Sequence, residues 1–182
     1  MSAAIKILLL FIFLMEINPS MHQEVLKTTT AEVGFFSSAP VEDIQATSRE
    51  GISVFRPETG EISFLVYIRS LKFPKALMQE HFNENFMESD RYPTASFTGK
   101  ITRPEKLPAQ GEVPVMLSGI LEIHGIKQKR EIPAVINVGK DGVILKSNFN
   151  VACKDHKIKI PKLLWRNIAE VVRVDVNANF KR

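Results

Sequence analysis

An all-β fold, an antiparallel β-barrel of about eight strands, is predicted by three observations. Apolar residues recur at every second position from residue 25 onward, turn signals separate these runs at hairpin intervals, and residues 75–88 alone switch to helical spacing. Many short strands joined by hairpin-length loops favour a barrel or a sandwich over other all-β arrangements. The chain length of 182 residues suits one domain with a real core and is too short for two comfortable ones. Hydrophobic residues at 45% and charged residues at 24% exclude disorder and a disulfide scaffold.

The first twenty residues stand apart. Ile5 to Met15 is almost unbroken hydrocarbon, with Lys6 at its head and Glu16-Ile17-Asn18-Pro19-Ser20 closing it. This run is short for a membrane span, which needs roughly 20 apolar residues. It matches the apolar core of a secretory signal peptide, so residues 1–20 are expected to be a leader cleaved near Ser20. An uncleaved anchor or a buried helix is the other reading. Loss of the leader removes Lys6 and Glu16 together, which leaves the charge at 23 minus 19, or +4. A single barrel domain over residues 21–182, periplasmic or secreted, is the resulting expectation.

The strand signals then follow in order. Ala31, Val33 and Phe35 form a short alternating set near the mature N-terminus. Ile62, Phe64, Val66 and Ile68 alternate with Glu61, Ser63 and Arg69, after a turn expected at Pro57-Glu58-Thr59-Gly60 of type I. Ala95, Phe97 and Ile101 share a face, as do Val113, Val115, Leu117, Leu121 and Ile123, with Gly119 among them. His124-Gly125-Ile126 is expected to bend the chain into the run Ile132, Ala134, Ile136 and Val138. Gly139-Lys140-Asp141-Gly142 is a tight hairpin, leading to Leu145, Phe149 and Val151. Val172, Val174, Val176, Ala178 and Phe180 close the pattern against Arg173, Asp175, Asn177 and Asn179.

Between these runs, Leu77, Met78, Phe82 and Phe86 fall near helical spacing. Pro74 lies just before the stretch and Pro93 stops any continuation, so one short helix or two joined turns should cross a barrel opening. A second irregular piece spans Lys154 to Trp165.

Eight strands closed around apolar faces can enclose one small or elongated guest. The expected lumen-lining, ligand-binding set is Phe64, Val66, Ile68, Phe82, Phe86, Phe97, Leu117, Leu121, Ile123, Ile136, Phe149, Val174 and Val176. Such a lining accepts hydrocarbon and strips polar groups of water without replacing their partners. Alternation reports which side is buried and not how much room is left, so a dry packed core stays open beside the lumen.

Two segments carry a resemblance. His81-Phe82, Asn85-Phe86-Met87 and Tyr92-Pro93-Thr94-Ala95-Ser96-Phe97 resemble the motif after the first long hairpin of the YceI-like family. Leu117 to Lys127 resembles that family's Gly-x-Leu-x-Ile-His-Gly signature, and the strand Val172 to Phe180 also fits. Met78-Gln79-Glu80 replaces an Arg-Asp pair common in the family. Glu122 stands at its usual Thr, and Lys127-Gln128-Lys129-Arg130 stands where Thr and Pro are frequent. The resemblance implies an exported, lipocalin-like barrel that sequesters or carries a long apolar lipid, isoprenoid or quinone-like, without catalysis and without a resident cofactor. The alternatives are an exported protein-interaction barrel with a dry core, or a hydrolase-type enzyme.

The residues that look chemical have plain readings beside sharper ones. His124 shares parity with Ser118 and Glu122, so it is expected to point outward and fix the turn, or to stand at the cavity mouth. His81, His124 and His156 lack the close spacing of zinc ligands, so no metal is expected. Phe82, Phe86 and Met87 either plug one barrel end or form a lid over a lipid tail. Trp165 is a core or rim anchor, or a membrane-surface contact.

Lys127, Lys129, Arg130, Lys154, Lys157, Lys159 and Lys162 are solvated faces, or they attract phosphate head groups and allow weak membrane contact. They form no single block, and nucleic-acid binding is not implied. Cys153 is the only cysteine, which excludes an intrachain disulfide, and it reads as a buried small residue. The chain has no Gly-x-Ser-x-Gly elbow and no phosphate loop, and Glu80, Glu84 and Asp90 read as solvated carboxylates. No catalytic residue is therefore assigned. A homodimer is compatible with the pattern, although nothing in the sequence fixes one.

Overall fold

Eight antiparallel strands run up and down in sequence order, and β8 returns to pair with β1, so the sheet closes into a barrel. The computed structural model describes residues 24–38, 42–104, 106–160 and 169–182. The expected leader, and Trp165 with its neighbours Lys162, Leu163, Leu164 and Arg166, lie outside the described residues. The strands are β1 (Leu26–Ser37), β2 (Ile44–Arg56), β3 (Glu61–Tyr67), β4 (Thr94–Arg103), β5 (Gly111–Ile123), β6 (Ile126–Gly139), β7 (Gly142–Ala152) and β8 (Val171–Lys181).

Every alternating run in the sequence becomes a strand with its apolar set inward. β2 is the strand the alternation does not announce. Its inward residues are Ala46 and Ser48, then Gly51, Ser53 and Phe55, with the register shifted around Ala31↔Gly51. An irregularity of this kind moves the buried set from even to odd positions, and two of its members are serines. Their hydroxyls are satisfied: Ser53 donates to the Ser63 carbonyl at 2.8 Å and the Ser48 and Ser70 oxygens lie 2.6 Å apart.

The turns follow the local chemistry. Gly139 pairs with Gly142 across a two-residue loop. Ile123 pairs with Ile126, and His124 and Gly125 between them both take positive φ, 54° and 69°. A two-residue hairpin with both central residues at positive φ matches the right-handed strand twist. The Pro57 turn is one residue longer than the type I turn predicted, because Gly60 N–H donates to the Arg56 carbonyl at 2.9 Å.

The helical interruption is two joined pieces, α1 (Ala76–His81) and a single π-helical turn (Phe82–Phe86). Leu77 faces solvent at 60% exposure, while Met78, Phe82 and Phe86 face inward. The true spacing of the apolar face is thus four residues, beginning at Met78.

The two ends of the barrel differ. At one end, the Phe55 and Phe180 rings are fully buried 5.8 Å apart, among Ile62, Val143, Leu145 and Ala178. At the helix-capped end, two strand pairs part. β2 pairs with β3 only over Ile52–Arg56, and β6 pairs with β7 only from Ala134↔Ser147 onward. The first gap is filled by the loop after β3, where Lys72 bridges to Thr47 through two backbone hydrogen bonds. The second is filled by the 3₁₀ turn Cys153–His156. There Gln128 Nε2 donates to the Asp155 carbonyl at 2.8 Å, and Arg130 Nη2 donates to the Asn150 carbonyl at 2.6 Å.

Candidate functional site

At the end where the strands part, side chains do not fill the interior. The result is an apolar cavity of about 320 Å³ beneath α1 and the π turn. Its wall comes from the last inward residues of every strand but β6 at this end, such as Val66, Ala95, Ile123, Val151 and Val174. Its roof is an aromatic group. Phe82 stacks on Phe35 with centroids 5.3 Å apart and packs on Phe73 at 4.9 Å. Such pairs add about 0.5–1.5 kcal/mol each beyond area burial and set the roof's position.

The thirteen residues expected to line a lumen divide at one level. Val66, Ile68, Phe82, Phe86, Ile123 and Val174 face the cavity. One inward step farther along the same strands, Phe64, Phe97, Leu121, Phe149 and Val176 do not. Phe97 and Leu121 are buried in the packed cluster, with the half-buried Phe64 and Phe149 against it. Leu117 and Ile136 lie deeper in the same packed cluster. The full-length lumen implied by that set is corrected to a cavity at one end, since the paired strands of the other end are close enough for side chains to fill the interior.

Alternation did not mark several lining residues. Leu71, Phe73, Ile158 and Ile160 come from connecting segments outside the strands. Phe73 sits two residues from Lys75 and its helix, and the Lys157-Ile158-Lys159-Ile160 alternation is the one signal that had been legible. Met78 and Met87 line the same space from the cap.

Polar groups are few. Glu42 lines the mouth and pairs with Lys75 Nζ, tying the β1–β2 connection to the start of α1. His81 lines it from the end of α1. Ser37 accepts the Ala169 N–H at 2.9 Å, so its hydroxyl is already engaged. Cys153 lies against the cavity wall, and burial pushes its thiol above its ordinary range. A thiol held protonated is a poor nucleophile.

A second feature ties the cap to the barrel. His124 Nε2–H donates to Glu88 Oε2 at 2.9 Å, and its Nδ1 lies 3.2 Å from the His156 carbonyl. Tyr92 packs on the same ring at 4.3 Å. His124 is buried, contrary to the outward position its parity with Glu122 predicts, because as the first turn residue it has left the strand alternation. His156 is fully buried, with Nδ1–H donating to the Ile126 carbonyl at 3.1 Å. Burial lowers its proton affinity first of all, opposed by the Ile126 and Ile123 carbonyls. His81 lines the cavity instead of joining them, and among the described residues no group of three His, Cys, Asp or Glu is placed to hold a metal ion. Glu80 and Glu84 are exposed on the cap, and Asp90 pairs with Arg69 at 2.6 Å.

The same architecture occurs in solved structures. A polyisoprenoid binding domain from Saccharophagus degradans superposes with a TM-score of 0.74 at 14% identity, covering 87% of this chain and 98% of that one. BcnA of Burkholderia cenocepacia gives 0.69 at 14% identity, with 81% and 94% covered. The Campylobacter jejuni YCEI protein gives 0.58 at 18% identity, with 80% and 90% covered. At such identities the likeness establishes the fold. No match is found among curated proteins. The sequence itself matches the YceI-like domain over residues 22–180, nearly the whole of the barrel and its cap, and the chain therefore belongs to the YceI-like family.

Proposed function

We propose that this chain is an exported, noncatalytic lipid-binding protein that carries or sequesters an isoprenoid-type or quinone-like lipid, with the apolar end of the guest in the capped cavity. The observation that carries this reading is a ligand-sized hollow of about 320 Å³ whose wall and roof are almost entirely hydrocarbon. Removing a guest's apolar surface from water supplies roughly 25 cal/mol per Å². The few polar groups sit at the rim, where Glu42 and His81 can meet a head group. Membership of the YceI-like family and the likeness to a polyisoprenoid binding domain support the lipid class.

Export to the periplasm or the medium is supported by the apolar run Ile5–Met15 alone. Weak attraction to an anionic membrane surface fits the mouth. Exposed Lys157 and Lys159 alternate there with cavity-lining Ile158 and Ile160, so the cations face outward. Each such cation contributes about 1 kcal/mol near an anionic surface.

The test is purification without detergent, solvent extraction and mass spectrometry of the extract. Recovery of a prenyl-chain lipid in near-stoichiometric amount is expected. A protein that is consistently empty and also fails to take up added farnesol would overturn the proposal.

A further inference from the structure

We infer that the cavity admits only a short apolar segment, so that a long prenyl guest is held by one end with the rest of its chain outside, and that Phe97 is the residue that sets this limit. The inference rests on the lipid-binding reading above and specifies which part of the lipid is recognised.

Three observations converge. The first is the level at which the hollow stops. Ala95 and Ile123 face it, whereas Phe97 and Leu121, the next inward residues of the same two strands, are each only 5% exposed and pair in register with one another. The second is how the Phe97 ring is held. Gly99 and Gly119 pair across β4 and β5, and a Cβ built on either would lie 2.8 Å from Phe97 Cζ. The ring therefore reaches over the bare backbone of this glycine pair, inside the barrel, in space that any other residue would occupy. The two glycines explain both the absence of side chains at that level and the presence of a ring filling it. The third is size. A hollow of about 320 Å³ lies at the bottom of the range for small-molecule sites, about 300–1,000 Å³. Beyond Phe97 the interior is close-packed through Leu117 to Phe55.

The consequence is a particular dependence of affinity on chain length. Each additional buried methylene strengthens binding about fourfold. Units beyond the floor stay in their original surroundings and add nothing. Recognition is then of a chain end, and lipids sharing that end compete on nearly equal terms whatever their total length.

The experiment is displacement of a bound fluorescent prenyl alcohol by geraniol, farnesol, geranylgeraniol and solanesol. Affinity is expected to climb over the short members and to be flat from there to solanesol. Phe97→Ala should move the break to a longer member, and Ala95→Leu, which adds bulk to the wall just above the floor, should move it to a shorter one. Thermal melts identify any variant that does not fold, and either variant alone suffices. Affinity that rises through solanesol, or a break that neither folded variant moves, overturns this inference and leaves the lipid-binding reading standing. Failure of the fluorescent alcohol and every competitor to bind overturns the lipid-binding reading itself.

Discussion

His156 is a residue through which pH acts on this fold. Its Nε2 has no hydrogen-bond partner among the described residues, and burial is the main reason its proton affinity is depressed. A histidine depressed in the folded state is protonated first in the unfolded chain. Its contribution to stability is therefore full above the ordinary histidine value of about 6.5, and it is lost as pH falls from there through the lowered folded value. The melting temperature is expected to drop between pH 7 and pH 5. In His156→Asn, which can keep a donor near the Ile126 carbonyl, the drop should be smaller. Equal drops in the two proteins would show that other groups carry the effect. Neither buried histidine was legible in the sequence. His124 follows strand parity on paper and turn geometry in fact, and the burial of His156 depends on a gap between β6 and β7 that no local pattern encodes.

Among the elements, the β4–β5 pair is tightly constrained. A Cβ at Gly119 would lie 2.3 Å from the Thr98 carbonyl oxygen and 2.6 Å from the Gly99 Cα. Both are backbone atoms and cannot swing aside, so the strands themselves would have to separate. Gly119→Ala is expected to cost about 3 kcal/mol, the upper end of ordinary overpacking, read from the denaturant midpoint. A variant as stable as the parent would mean that the close approach does not persist in solution. The sequence placed Gly119 in the inward set by parity, yet parity carries no information about its partner across the sheet. β2 shows the opposite limit. Its alternation breaks at the irregularity opposite Ala31, so a full-length strand is hidden by the register shifts on either side of that residue. The cap was legible because two prolines bracket it, although its inward face begins at Met78 and leaves Leu77 in solvent.

For the whole molecule, the packed core and the cavity proposed to bind lipid lie at opposite ends. Phe180 is fully buried in the solid end, and Phe180→Ala is expected to cost about 3–5 kcal/mol of stability. Guest affinity should be unchanged while the variant is folded. Phe82 stands over the cavity and keeps only its contacts with Phe35 and Phe73, so Phe82→Ala should cost about 1–3 kcal/mol, less than Phe180→Ala. The Phe82 variant should weaken farnesol binding roughly tenfold, equivalent to about 1.4 kcal/mol. The pair of measurements, calorimetric melts and farnesol titration, fails if both variants lose both properties together. The inward residues were readable because alternation is a local property. The depth of the hollow was not, because it depends on where neighbouring strands cease to pair.

That parting of strands has one more result. A closed barrel has no free sheet margin on which another chain can add, except where its own pairing lapses. From Ile126 to Pro133 the margin of β6 is shielded by Gln128, Arg130 and His156, each bonded to a backbone carbonyl across or beside the gap. These three side chains act as a seal. With all three cut back to alanine, the margin keeps only the Cys153–His156 turn over it, and size-exclusion chromatography of the folded variant is expected to show self-association that the parent lacks.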